Sequence, residues 1–244
     1  MLQNALGFDA CRPATLDALA AAGRAHRMVK GEALVRRGDP FDHFCILAAG
    51  SLESRVLLES GVRHLLHFLQ PGDLFGITTC CDGGPHVVDL IARDDDTIAL
   101  MIPGAAVRAL SAEDPGLPQA FARQLAFRGR ELYERLVADS SMELKARLAR
   151  LIVGFARQYG IDRPDGREVS FKASQADFAD ILGATRQSVN AAFHAFREEG
   201  LIATRYSTIK VVDFDRLCDC ADIDRNSARS STMSWPPLAS SARN

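Results

Sequence analysis

The sequence predicts an α+β chain, strand-rich at first and helical later. Three observations predict it. Turn signals recur through the first part of the chain. One long apolar stripe at helical spacing follows them. A cluster of helix caps and glycine stops then runs into a short strand pair.

The elements follow in order. Residues 16–22 read as a short helix. Residues 27–102 read as short strands broken by turns at Lys30-Gly31, Gly38-Asp39-Pro40, Ala49-Gly50, Ser60-Gly61, Pro71-Gly72-Asp73, Gly83-Gly84-Pro85 and Asp94-Asp95-Asp96. That recurrence suits an all-β barrel or sandwich. β-Branched and aromatic enrichment marks the strands at 44–48, 52–58, 64–69, 87–92 and 97–102.

Residues 118–140 read as one long helix. Ala122, Leu125, Gly129, Leu132 and Leu136 recur at alternating spacings of three and four, as in a coiled-coil seam. Gly129 lets two helices approach closely, at a cost of about 1 kcal/mol against Ala. The seam predicts a parallel homodimer. The plainer reading packs the stripe on the β-domain. A second amphipathic helix covers 142–158, with Leu144, Leu148, Leu151, Ile152 and Phe155 inward. A loop at Arg163-Pro164-Asp165-Gly166 precedes a short strand at 168–171.

Ser174 is a natural N-cap, and the helix behind it turns Phe178, Ile181 and Leu182 inward. Gly183 supplies a left-handed stop. Thr185 caps the next helix, which runs to about residue 199 and buries Val189, Ala192, Phe193 and Phe196. Gly200 ends it. Leu201 and Ile202 enter a strand, residues 206–208 turn, and Ile209, Val211 and Val212 return. Two caps, a glycine stop and a strand pair at these spacings make a winged helix-turn-helix. Arg186, Gln187, Asn190 and His194 remain on the outer face of the second helix, able to bond to base edges or phosphates. Ser174 and Gln175, opening the first helix, join that DNA-binding set. Thr185 and Ser188 either bond to phosphate or cap the helix. The plainer reading is a small helical subdomain with an ordinary solvated face.

Bulk properties bound these readings. The chain has 244 residues, enough for two domains with real cores. Its net charge of -2 gives no global basic signature, so DNA binding must rest on local charge at Lys172, Arg186, Arg197, Arg205 and Lys210. No apolar run is long enough to cross a membrane, and no N-terminal segment resembles a secretory signal. A cytoplasmic protein with no membrane partner is expected. None of the six cysteines forms a CxxC pair, so reduced thiols are expected and no structural zinc. The expected divisions are a β-domain at 1–116, a dimer helix at 117–140, a winged unit at 141–217 and a disordered tail at 218–244. Trp235 falls in that tail.

The run KGEALVRRGDPFDHFCILAAGSLES, followed by LQPGDLFG, resembles the cyclic-nucleotide-binding β-roll. With the long helix and winged unit behind it, almost the whole chain before the tail is similar to the Crp–Fnr family of bacterial transcription regulators. The resemblance implies a homodimer on a pseudo-palindromic promoter site and contacts with RNA polymerase. It also implies a small-molecule effector, whose signal passes from the β-roll through the dimer helix to the DNA helices.

At the effector pocket this chain departs from the family. Cyclic-AMP-responsive members follow the PGD turn with Gly-Glu-Leu and then carry an Arg-Ser pair. The matching residues here are Gly76-Ile77-Thr78 and then Val87-Val88, with His86 adjacent. Burying an unpaired phosphate against apolar groups costs several kcal/mol. Cyclic AMP is therefore not expected in this degenerate pocket. Arg93 would reach an anion only if the alignment slipped. Oxygen-sensing members carry an N-terminal cysteine cluster, and this chain has only Cys11 there. Haem-binding members use His or Cys ligands; His64, His67, His86, Cys80 and Cys81 match by type. The plainer reading leaves all five without metal. Cys80-Cys81 as a thiol redox sensor is an alternative. So is an enzyme using either cysteine with His86, but no motif fixes a triad. No cofactor, metal site or catalytic residue is expected.

The DNA helix departs in part. Family members place Arg, Glu and Arg where this chain has Arg186, Gln187 and Ala191, with Asn190 as a partial substitute. The half-site is expected to differ from the family's usual one.

Overall fold

Residues 5–59, 61, 63–170, 173–205 and 208–224 are described by the computed structural model. The chain divides into two units, Met1–Leu132 and Tyr133–Asn244.

In the first unit, a 3-10 turn at Phe8–Ala10 and α1 (Pro13–Ala22) lead into β1 (Arg24–Met28), β2 (Ala33–Val35), β3 (His43–Ala49) and β4 (Leu52–Leu57). Then come β5 (Arg63–Leu69), β6 (Leu74–Phe75), α2 (Ile77–Asp82), β7 (Asp89–Ala92), β8 (Thr97–Pro103) and α3 (Gly104–Glu113). The strands form two antiparallel sheets, in the orders β1-β8-β3-β6 and β2-β7-β4-β5.

The alternation of side chains along β3 explains the layering. Cys45 and Leu47 point between the sheets, where they join Met28, Val35, Leu52, Leu69, Phe75, Leu90 and Ala92. Phe44 and Ile46 point the other way. They meet Leu16 and Leu19 of α1, Ile77 and Cys80 of α2, Val107 of α3, and Leu117 and Phe121 beyond it. Each such side chain, fully buried, contributes roughly 1.5–3 kcal/mol. Asp114 ties the helices together. It accepts from Thr15 Oγ1 at 2.6 Å, Arg12 N–H at 2.8 Å and Gly116 N–H at 3.0 Å.

Among the described residues of this unit the expected strands are present, and three more were not foreseen: β1, β2 and β6. β1 reads Arg-Ala-His-Arg-Met and lies at a sheet edge with its first four residues exposed. Charged edges discourage stray pairing and erase the alternation that marks a strand. The strand expected from residue 87 begins at Asp89. His86 is held instead in a loop, its N–H donating to Asp39 O at 2.9 Å and its O accepting from Gly38 N–H at 2.8 Å.

Across the division of the chain runs α4 (Gly116–Ser141). The second unit continues with α5 (Leu144–Tyr159), β9 (Ile161–Arg163), β10 (Gly166–Ser170), α6 (Gln175–Leu182) and α7 (Arg186–Glu198). It closes with β11 (Ile202–Arg205), β12 (Thr208–Val211) and α8 (Phe214–Cys220). Its strands form one antiparallel sheet, β11-β12-β10-β9. Along α5, Leu148, Ile152 and Phe155 are buried as expected, while Leu144 and Leu151 are half-buried. Ala149, Val153 and Ala156 widen the buried stripe.

The expected boundary between 217 and 218 is corrected, because it falls inside α8. Asp213 caps that helix, accepting from Arg216 N–H at 3.0 Å, and Leu217 and Cys218 are fully buried. A short polar sequence hid two core residues. Lys172, Trp235, residues 206–207 of the expected turn and residues 225–244 of the expected tail lie outside the described residues. Among the described residues, no helix is long and apolar enough to cross a membrane.

Candidate nucleic-acid interface

The helix-turn-helix is built from local hydrogen bonds. Ser174 Oγ accepts from Asp177 N–H at 3.2 Å, and Asp177 Oδ2 accepts from Ser174 N–H at 2.9 Å. This reciprocal capping box satisfies donors that α6 itself leaves unpaired. Gly183 stops α6 with φ at 59°, in the left-handed region that favours glycine. Thr185 Oγ1 accepts from Ser188 N–H at 3.2 Å and starts α7. The Thr185 and Ser188 hydroxyls lie 2.8 Å apart. Thr185 therefore caps α7, and the Ser188 hydroxyl braces that cap. At the far end Leu201 N–H donates to Phe196 O at 2.9 Å and Gly200 N–H to Arg197 O at 3.1 Å, closing the helix.

Packing fixes the angle between the two helices. Phe178 of α6 meets Phe193 of α7 edge to face, ring centroids 5.1 Å apart. Phe155 of α5 meets Phe178 at 6.0 Å. Val189, Phe193 and Phe196 are buried, and Ala192 is half-buried. Ser174, Gln175, Thr185, Arg186, Gln187, Ser188, Asn190 and His194 are all exposed. Ser174, Gln175, Arg186, Gln187 and Asn190 line one open concavity, with Ala176, which the sequence reading did not single out. His194 is engaged by Glu198 one turn on, Nδ1 to Oε2 at 3.2 Å.

The local charge is thinner than expected. Lys210 pairs with Asp165, whose carboxyl is held below its usual range by that contact. Arg163 pairs with Glu168 at 3.6 Å. Arg197 Nη1 donates to Thr204 Oγ1 at 3.4 Å, linking α7 to β11. Arg186 and Arg205 are exposed.

The proposed seam on α4 is divided. Leu125 is half-buried against the first unit's core. Ala122 is exposed, and a side chain built at Gly129 would meet nothing within 4 Å. Leu132 and Leu136 are exposed, joined by Tyr133 and Val137, which the heptad spacing missed.

The positions expected at the β-roll pocket are placed as follows. Gly76 starts α2 with φ at 75°, and a Cβ there would strike His43 O. Ile77, at the position of the family's Glu, is fully buried in the outer apolar cluster. Thr78 is exposed. Val87 is 60% exposed, and Val88 packs on the inter-sheet core. His86 is buried, its Nδ1 2.6 Å from Val88 O and its ring edge-on to Phe41 at 5.2 Å. Burial pushes its pKa down, which favours the neutral form. Arg93 stacks over Phe68, 4.1 Å from the ring centroid. These residues do not fit a cyclic phosphate.

Cys80 is buried and Cys81 exposed. Burial, then the neighbouring Asp42 carboxylate, pushes Cys80 up to about 11, and burial also raises Cys81. A raised pKa starves a thiol of its reactive thiolate. Among the described residues, no group of three or more His, Cys, Asp or Glu side chains is placed to hold a metal ion.

Comparison with known proteins places this geometry. Residues 25–114 match the cyclic nucleotide-binding domain, and residues 146–220 match the Crp-like helix-turn-helix domain. The chain is 24% identical over 210 residues to the CRP-like cAMP-activated global transcriptional regulator of Mycobacterium tuberculosis, covering 86% of this chain and 93% of that one. FixK2 from Bradyrhizobium japonicum shares the fold with a TM-score of 0.73 at 19% identity, over 81% of this chain and 96% of that one. A CRP-family transcriptional regulator from Thermus thermophilus has a TM-score of 0.63 at 26% identity, over 81% and 96%.

Proposed function

We propose a mechanism from the premise that this chain belongs to the Crp–Fnr family and is a transcription regulator that binds DNA through its helix-turn-helix. The protein acts as a homodimer, each α7 entering the major groove at one half of a pseudo-palindromic promoter site. The observation that carries this reading is the exposed row Arg186, Gln187 and Asn190 beside the capped start of α6. Arg186 pairs with guanine O6 and N7, and Gln187 or Asn190 with adenine N6 and N7. Ser174, Gln175, Thr185 and Ser188 reach phosphates, and His194 contacts DNA once Glu198 releases it. The exposed Leu132 and Leu136, with Gly129, support pairing of two α4 helices.

The effector is not cyclic AMP in the usual pocket. The Mycobacterium tuberculosis relative is cAMP-activated by name, but the buried Ile77 and the valines at 87 and 88 offer a phosphate nothing. The protein reads DNA without that nucleotide. A different effector shifts the population between arrangements of the dimer helices. RNA polymerase is the further partner, the cytoplasm the location, and no catalytic step is involved.

Salt-dependent DNA binding, measured beside sedimentation, tests the reading. Dimers whose affinity falls steeply with salt support it. Monomers without sequence preference would end it.

A further inference from the structure

Residues 132–139 of α4 have two unlike faces. At about 100° per residue, Leu132, Tyr133, Leu136 and Val137 fall on one side, and Glu134, Arg135, Ala138 and Asp139 on the other. The first four are 56% to 72% exposed. The second side is engaged throughout. Ala138 is buried. Arg135 Nη2 donates to Ile181 O at 2.8 Å, in the last turn of α6. The last carbonyls of a helix have no partner within it, and a cation there also suits the helix dipole. Arg135 Nε lies 3.8 Å from Asp139, which accepts from Arg147 Nη1 of α5 at 3.2 Å. Arg147 Nε is buried without a hydrogen bond, so Asp139 is a counter-ion its charge needs. Glu134 takes Arg150 of α5 at 2.6 Å, and Arg150 donates to Ala221 O, just past α8, at 3.1 Å. Two turns of α4 thus grip α5 and α6 directly, and the end of α8 through Arg150.

We propose that Arg135 is a positioning residue for DNA recognition. By capping α6 it holds the helix-turn-helix to the same two turns of α4 that pair with a second copy. The inference rests on the homodimer reading above. Ile181 lies two residues before Gly183, the turn from which α7 and Arg186 follow. Freeing that end of α6 loosens the orientation of α7 relative to the dimer axis. Arg135 therefore sets the spacing between two reading helices without touching a base.

The experiment uses full-length wild type, Arg135→Ala and Arg135→Lys. Each is titrated on two half-sites with the optimal spacer, on spacers one base pair shorter and longer, and on an isolated half-site. Sedimentation reports the dimer. The expected Ala variant is folded and dimeric, and binds the isolated half-site as wild type does. It loses at least about tenfold on the optimal spacer and discriminates less between spacers. Lys keeps one point donor but not the fork that spans Ile181 and Asp139, so it falls between the two. A dimeric Ala variant with unchanged spacer preference overturns the proposal. If the Ala variant unfolds, Lys decides: partial loss of discrimination supports the proposal and wild-type discrimination overturns it. A wild type indifferent to spacing would instead defeat the homodimer reading beneath it.

Discussion

In the β-roll, the positions that would meet a cyclic phosphate hold Val87, exposed, and Val88, packed on the core. In the helix-turn-helix, the positions that would meet DNA hold Arg186, Gln187 and Asn190, all exposed and ringed by intact caps. Both units keep their cores. Phe44 and Cys45 alternate between two apolar layers in one, and Phe178 locks against Phe193 in the other. Packing alone sets the fold, and the ligand chemistry is carried by other side chains. Function has to be read from the side chains that face outward, unit by unit.

Breaking one unit should spare the other, and this gives the largest expected effect. Phe178→Ala removes the ring between Phe155 and Phe193 and should cost about 3–5 kcal/mol. Hydrogen exchange should show protection falling in α6 and α7 while β3 and β8 are unchanged. Equal losses in both units would mean that they are not separate cores.

Arg186→Ala sharpens the contrast from the functional side. It should leave the melting curve alone and cost about 1–3 kcal/mol per half-site of specific binding. Fluorescence anisotropy on the selected site reads this. An unchanged sequence preference would sink the assignment of α7 as the reader.

Thr185→Ala is subtler. The hydroxyl caps α7, so stability of the second unit should fall by about 1 kcal/mol. A loss of DNA affinity well beyond what that destabilisation explains would show that Thr185 also bonds to phosphate.

The last test lies in the first unit and is read in acid. Asp114 is held at about 2, below its ordinary 3.8, first by the Thr15 hydroxyl and then by the Arg12 N–H. A carboxyl depressed by folding contributes its full stability above the ordinary value and loses it as pH falls towards about 2. Thermal melts across that window should show Asp114→Asn less sensitive to acid than wild type. Parallel curves would show that other carboxylates dominate.

Legibility in the sequence followed the range of the interaction. Ser174, Gly183, Thr185 and Gly200 act within a few residues of themselves, and each stands where its local signal predicts. β1 was hidden because a charged edge strand does not alternate. α2 was hidden because Ile-Thr-Thr-Cys-Cys-Asp is a poor helix former that starts on a left-handed glycine. Cys218 looked like the start of a tail because its helix's partner, α5, lies far back in the chain. At the candidate interface the outward row on α7 was legible from its period. The Glu198 partner of His194 and the widening of the α4 stripe by Tyr133 and Val137 were not. The Arg135 contact with Ile181 is long-range and to a backbone carbonyl, which no side-chain pattern announces.

On the function proposed above, this chain reads DNA sequence without a cyclic nucleotide. Selection from random DNA by the purified protein, with and without added cyclic AMP, tests it most directly. One inverted repeat is expected to be enriched, the same in both conditions. Enrichment only when cyclic AMP is present would contradict it.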